Sequence, residues 1–248
     1  MRVLDLFSDI GGFSLGLRMA GGFETVQFCE IDPYCQKVLA KNFPGVPIHD
    51  DIRSFRPAPG SADLICGGFP CQDISSIGKN AGIDGERSGL WRELHRVISN
   101  VRPRYCIVEN VAALLSRGLG RVLGDLAEIG YDAEWHCIPA SHIGAPHRRD
   151  RVWIVAYPAI QGLERCDERP KSRLLPLYQL SPLHAKADFP HQLSASAIHG
   201  SGHGIPHRVD RLRGLGNAVV PQVVAEIGKA MMASPGTVRR PTGTVRRL

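Results

Sequence analysis

The chemistry this sequence can perform rests on one cysteine, a few acids at the ends of apolar runs, and a pair of arginines. In Leu64-Ile-Cys-Gly-Gly-Phe-Pro-Cys-Gln72 a short apolar run stops at two glycines, and Cys71 follows on a turn stiffened by Pro70. The C-terminal end of a strand is where open α/β sheets keep their active sites. A thiol held there can serve as a covalent nucleophile, with a half-buried structural cysteine as the plainer alternative. A second apolar run, Tyr105 to Val108, ends in Glu109. A carboxyl group beside the thiol's strand is the acid–base partner such chemistry needs, the alternative being an ion-paired surface acid. Arg149 and Arg151 alternate along a segment expected to be extended, so both guanidinium groups would point to one side. A strand edge with phosphate-binding arginines is the other reading.

The elements that must position these groups follow in order. Arg2 to Phe7 reads as a strand, running through the glycine-bearing turn Ser8-Asp-Ile-Gly-Gly12 into a helix. Strand, turn and helix N-terminus together make a nucleotide-cofactor cradle. The next strand, Thr25 to Cys29, ends in Glu30-Ile31-Asp32, where an acid suits a ribose hydroxyl pair. A third strand-like piece ends at Asp50-Asp51-Ile52. Residues 80–88 read as a glycine-rich loop, 89–99 and 117–130 as helices, and 133–138 as a strand, with one more strand entered from the basic segment at 145–155. From Tyr157 to Pro206 six prolines and scattered Ser and His break any period. Periodicity resumes at Arg208, and residues 234–248 repeat Gly-Thr-Val-Arg-Arg and read as a disordered tail.

A chain of 248 residues, 43% hydrophobic and 22% charged, holds one α/β domain and a small accessory piece. No apolar run approaches the roughly 18 residues of a membrane span, and with no signal-peptide pattern the expectation is a cytoplasmic protein. The seven cysteines form no CxxC pair, and His199, His203 and His207 lack cysteine or carboxylate companions at ligand spacing, so neither a disulfide framework nor a metal is expected. Of the formal charge of +6, four charges come from Arg239, Arg240, Arg246 and Arg247, leaving only +2 for the rest. Charge alone supports a nucleic-acid partner weakly.

Gly67-Gly-Phe-Pro-Cys-Gln72 followed by Ser75 resembles the catalytic motif of the DNA (cytosine-5)-methyltransferases of bacterial or phage type, and the match continues in order. Phe7-Ser-Asp-Ile-Gly-Gly12 is similar to the family's cofactor turn, Glu109-Asn-Val111 to its acid motif, His147-Arg-Arg-Asp-Arg151 to Gln-x-Arg-x-Arg, and Gly216-Asn-Ala-Val-Val-Pro221 to its C-terminal motif. The resemblance implies an α/β fold: a doubly wound, Rossmann-like S-adenosylmethionine-dependent methyltransferase sheet with a small target-recognition lobe. Residues 1–156 would form the catalytic and cofactor-binding domain, 157–206 a short recognition region, and 207–233 a motif and helix returning to the catalytic domain.

It further implies methyl transfer from S-adenosyl-L-methionine to carbon 5 of a flipped-out cytosine in double-stranded DNA, with a cognate restriction endonuclease as an admissible partner. Cys71 would add to the base, Glu109 would serve ring N3, Arg151 would hold the cytosine O2 and Arg149 would support the cysteine. Gln72 and Ser75 would hold the flipped nucleotide's phosphates. The cofactor would meet Phe7, Asp9, Gly11 and Gly12 at its methionine end, Glu30 and Ile31 at the ribose, Asp51 and Ile52 at the adenine, and also Leu90, Asn217 and Ala218. One departure stands out: Asp9 replaces a family glycine, at a turn where the left-handed backbone region, tolerated by Asp, is in question. A tRNA cytosine-5 methyltransferase and a catalytically silent DNA-binding remnant are the rival readings.

Overall fold

Continuous burial of β-branched and aromatic residues makes strands of the short apolar runs, and Gly11, Gly89 and Gly118 each precede a helix. The computed structural model describes residues 1–70, 89–145, 147–159 and 208–233. The readings for Cys71, Gln72, Ser75 and the region 160–207 lie outside these residues.

The described elements run β1 (Arg2–Leu6), α1 (Gly12–Ala20), β2 (Glu24–Cys29), α2 (Pro33–Asn42), β3 (Ile48–His49), β4 (Leu64–Gly67), α3 (Leu90–Val101), β5 (Tyr105–Val111), α4 (Leu114–Arg117), α5 (Leu119–Glu128), β6 (Tyr131–Pro139), a 3-10 turn (Ala140–Ile143), β7 (Asp150–Pro158), α6 (Arg208–Asn217) and α7 (Pro221–Ala233). The strands form one sheet in the order β3-β2-β1-β4-β5-β7-β6. Neighbours from β3 to β5 are parallel, whereas β7 runs antiparallel to both β5 and β6. The doubly wound, Rossmann-like expectation therefore holds, with an antiparallel β7 that the residue pattern did not reveal.

Two apolar layers cover the sheet. On one face α3 and α5 bury Trp91, Leu94, Ile98, Val122 and Leu126 against Leu4, Ile65 and Val108. On the other, Phe13 and Leu17 of α1 and Val224 and Ile227 of α7 pack on Val3, Leu64 and Val155. The α1–α7 contact is close enough that a Cβ on Gly16 would lie 2.3 Å from the Pro221 carbonyl oxygen. This is how the end of the chain is brought back onto its beginning.

Polar locks complete the frame. Asp5 is fully buried and accepts hydrogen bonds from the Ser14 hydroxyl (2.6 Å) and backbone N–H (3.2 Å), tying β1 to the first turn of α1. Burial outweighs those bonds and pushes its carboxyl up to about 7. Between α3 and α5, Asp125 accepts from the Trp91 indole N–H and from Arg121 Nε, each at 2.7 Å. Asp125→Asn keeps the shape but leaves one donor facing an amide N–H. The expected loss is about 1–3 kcal/mol, read as a lower melting temperature with cofactor affinity unchanged; an unaltered melting temperature would refute the lock.

Candidate active site

The strand registers place five residues in one row: His49, Cys29, Leu6, Gly67 and Val108 face one another across β3, β2, β1, β4 and β5. The residue following each of them, namely Asp50, Glu30, Phe7, Gly68 and Glu109, lines one cavity of about 420 Å³. Four parallel strands stop at this level and β5 runs on past it to Val111, so the floor of the site is built from residues far apart in sequence. That volume lies in the range of about 300–1,000 Å³ usual for small-molecule sites.

At the end beneath β1 and β2, Glu30 is buried and its two carboxyl oxygens accept the backbone N–H groups of Asp9 (2.7 Å) and Asp32 (2.8 Å). Burial raises its pKa above the ordinary value against those bonds. Asp32 in turn caps α2, accepting from the N–H groups of Tyr34 (2.8 Å) and Cys35 (3.3 Å), and lies 3.4 Å from Arg213 of α6. Asp9 has φ +47°, in the left-handed region, as the glycine of the family pattern would allow. Its Oδ1 accepts from the Cys35 thiol at 3.0 Å, and burial pushes its carboxyl up to about 6. Ile31, Asp51, Ile52, Leu90, Asn217 and Ala218 also line the cavity, as does Gly12, where a Cβ would lie 2.8 Å from a Val219 methyl.

Gly11 sits differently from its expected place at the cofactor's methionine end. It does not line the cavity; its φ is +87°, and a Cβ there would lie 2.6 Å from the Phe43 ring. Its glycine serves the turn into α1 and the packing behind the wall.

At the other end, Glu109 emerges from β5 beside the start of the Cys71 turn. A Cβ on Gly68 would stand 3.0 Å from Glu109 Oε2, and one on Gly67 2.5 Å from the Leu6 carbonyl oxygen. The paired glycines therefore make room for the neighbouring strand and for the carboxyl group. Arg151 Nε lies 2.8 Å from Glu109 Oε1. Burial nevertheless dominates, and the Glu109 carboxyl is pushed up to about 7 despite the opposing charges of Arg151 and Arg149. Such a group holds a transferable proton at neutral pH.

Three residues here escaped the sequence reading or were misplaced by it. Asn110 is buried and donates from Nδ2 to the Phe69 carbonyl oxygen at 3.1 Å, fixing the backbone just before Pro70 and Cys71. Its position beside Glu109 was the available signal. Arg149 was expected to point with Arg151 into the site, but its φ of +38° breaks the extended alternation. Its guanidinium group donates to the carbonyl oxygens of Gly216 (2.8 Å), Asn217 (3.0 Å) and Ala218 (2.7 Å), clamping the end of α6. Of the two arginines, Arg151 alone lines the large cavity. Arg213, which the sequence reading did not single out, joins the wall from α6.

The cavity fits a nucleoside carrying a charged tail: an acid at the β2 end faces the site, glycine opens the first turn, and Asp9 Oδ2 is buried without a partner. Among the described residues no group of His, Cys, Asp or Glu is arranged to hold a metal ion, and no helix is long and apolar enough to cross a membrane.

Known proteins share these features. The sequence model of the family described as C-5 cytosine-specific DNA methylase matches residues 1–184. The Type II methyltransferase M2.BsuMI of Bacillus subtilis (strain 168) is 44% identical over 164 residues, covering 63% of this chain and 42% of the relative. The Type II methyltransferase M1.ScrFI of Lactococcus lactis subsp. cremoris is 35% identical over 162 residues, covering 63% and 41%. The chain thus spans less than half the length of these relatives. In fold it is similar to the Entamoeba histolytica methyltransferase EhMeth, with a TM-score of 0.65 at 14% identity over 94% of this chain and 98% of that one. With three quarters of its length matched in order, and with Glu109, Gly68 and the cofactor turn meeting in one cavity, the chain belongs to the C-5 cytosine-specific DNA methylase family.

Proposed function

We propose that the protein transfers a methyl group from S-adenosyl-L-methionine to carbon 5 of a cytosine in double-stranded DNA. The observation that carries this reading is Glu109: a buried carboxyl group with its pKa pushed up to about 7, on β5 just past the level where β4 stops, in the same cavity as the Phe69-Pro70 backbone that leads into Cys71. When bound, the cofactor supplies an electrophilic methyl group on a sulfonium. Phe7, Asp9 and Gly12 would meet its amino-acid end, Glu30 with Ile31 its ribose, and Asp51 with Ile52 its adenine.

Cytosine carbon 5 is too weak a nucleophile unaided. Addition of the Cys71 thiolate at carbon 6, with the Glu109 proton delivered to ring N3, gives carbon 5 enamine character. Arg151, anchored on Glu109, would hold the cytosine O2. Gln72 and Ser75 would hold the phosphates of a nucleotide swung out of the duplex, because a stacked base cannot reach a thiol in a cavity. Once carbon 5 carries the methyl group, its proton would pass to solvent water, the 5,6 double bond would re-form as Cys71 leaves as thiolate, and N3 would return its proton to Glu109. Residues 157–206 would contact the target sequence.

The test is transfer of labelled methyl to duplex DNA compared with tRNA, followed by trapping on a duplex containing 5-fluorocytosine. Fluorine at carbon 5 cannot leave as a proton does, so the covalent adduct accumulates on Cys71 and is located by peptide mass mapping. Label in tRNA alone would overturn the DNA reading, and an adduct on another residue would overturn the mechanism.

A further inference from the structure

The cofactor turn carries a charge where the family pattern has none. Asp9 sits on the cavity wall in the left-handed conformation, and its backbone N–H is already donated to Glu30 Oε2 at 2.7 Å. The turn therefore cannot also offer that N–H to an anionic group of a ligand. Its side chain is half satisfied: Oδ1 accepts the Cys35 thiol proton, and Oδ2 is buried with no partner.

The charged groups around it are otherwise engaged. Glu30 holds two backbone N–H groups, Asp32 caps α2 and pairs with Arg213, and the guanidinium of Arg149 is committed to the carbonyl oxygens of residues 216–218. Among the described residues no cation or other donor reaches Oδ2, and a ligand that brings a donor would satisfy it.

A zwitterionic nucleoside offers few candidates. A sulfonium carries no hydrogen to donate, the adenine amino group and the ribose hydroxyls are neutral donors, and an α-carboxylate is repelled by Asp9, Glu30 and Asp32 together. An α-ammonium group supplies both the N–H and the charge.

We propose that Asp9 binds the α-ammonium group of the cofactor's methionine moiety, so that the acid replacing a glycine at this turn is a determinant of cofactor recognition. This rests on the reading of the cavity as the cofactor's site. The bond is charge-assisted and largely shielded from water, the setting in which such bonds are strong.

Calorimetric titration of the full chain above pH 7, where Asp9 is ionised, tests it with two nucleosides. S-adenosylhomocysteine carries the α-amino acid, and 5′-methylthioadenosine lacks it. Asp9→Asn is nearly isosteric and tolerates the left-handed backbone, and its binding of 5′-methylthioadenosine serves as the check that the site is folded. The expected result is a loss of roughly 10- to 100-fold for S-adenosylhomocysteine, with 5′-methylthioadenosine held within about two-fold. An equal loss for both ligands, or S-adenosylhomocysteine bound as tightly or more tightly by the variant, would overturn the role of Asp9 while leaving the cofactor reading intact. Failure of the wild-type chain to bind either nucleoside would overturn both.

Discussion

Glu109→Gln is expected to slow methyl transfer by about two to four orders of magnitude while DNA and cofactor affinities stay within a few-fold. The amide matches the carboxyl in size beside Gly68 and can still offer an N–H toward ring N3, but it cannot deliver a proton. In the wild type the proton is present because burial pushes the carboxyl up to about 7, against the pull of Arg151 and Arg149. The acid form dominates below that value, so the proton's contribution to the single-turnover rate is lost as pH rises through about 7, while the supply of Cys71 thiolate grows with pH. The variant should lack that loss. Its melting temperature reports whether the 2.8 Å pairing of Arg151 with Glu109 also carries stability. A variant that keeps a tenth or more of the wild-type rate together with the same loss would remove Glu109 from the proton-transfer step.

Arg149→Ala should weaken nucleoside binding by about 10- to 100-fold and speed amide hydrogen exchange in α6. Three carbonyl oxygens at the end of that helix accept from one guanidinium group, where the helix dipole also favours a cation. Their removal loosens the segment that supplies Arg213, Asn217 and Ala218 to the cavity wall. Arg149→Lys, a point charge without the planar fork, should restore only part of the loss. Unchanged exchange in α6 combined with a loss of methyl transfer alone would return Arg149 to the role at the cysteine that its spacing implied.

The difference between these two arginines illustrates what the sequence made legible. Glu30, Gly68 and Glu109 were readable because each follows an apolar run on one of the parallel strands, although β5 continues past Glu109 to Val111. Arg149 was not readable: its position assumed an extended backbone, and its partners are carbonyl oxygens some seventy residues away that no local pattern announces. The antiparallel β7 was hidden for a related reason, since alternation encodes which face is buried and not which way the strand runs. Gly11 and Gly12 read identically as a pair, yet only Gly12 faces the cavity; the other yields to the Phe43 ring. Asn110 was within reach, but an amide between two site residues gives no sign of which backbone it will hold.

The row His49, Cys29, Leu6, Gly67 and Val108 has a consequence for how the molecule comes into being. Its members enter the chain in the order β1, β2, β3, β4, β5, but β1 ends up in the middle, between β2 and β4. The first strand made must therefore wait for the β4 edge, about sixty residues later, before the floor of the cavity closes. Contacts so distant in sequence form slowly and cooperatively. A nucleoside that needs Phe7, Glu30, Leu90 and Ala218 together has no half-built version of this site to occupy. Ligand binding then draws on the fully paired sheet alone, and a saturating nucleoside shifts the folding equilibrium by its whole binding free energy. Newly synthesised chains become competent for chemistry and gain ligand protection against unfolding in the same step.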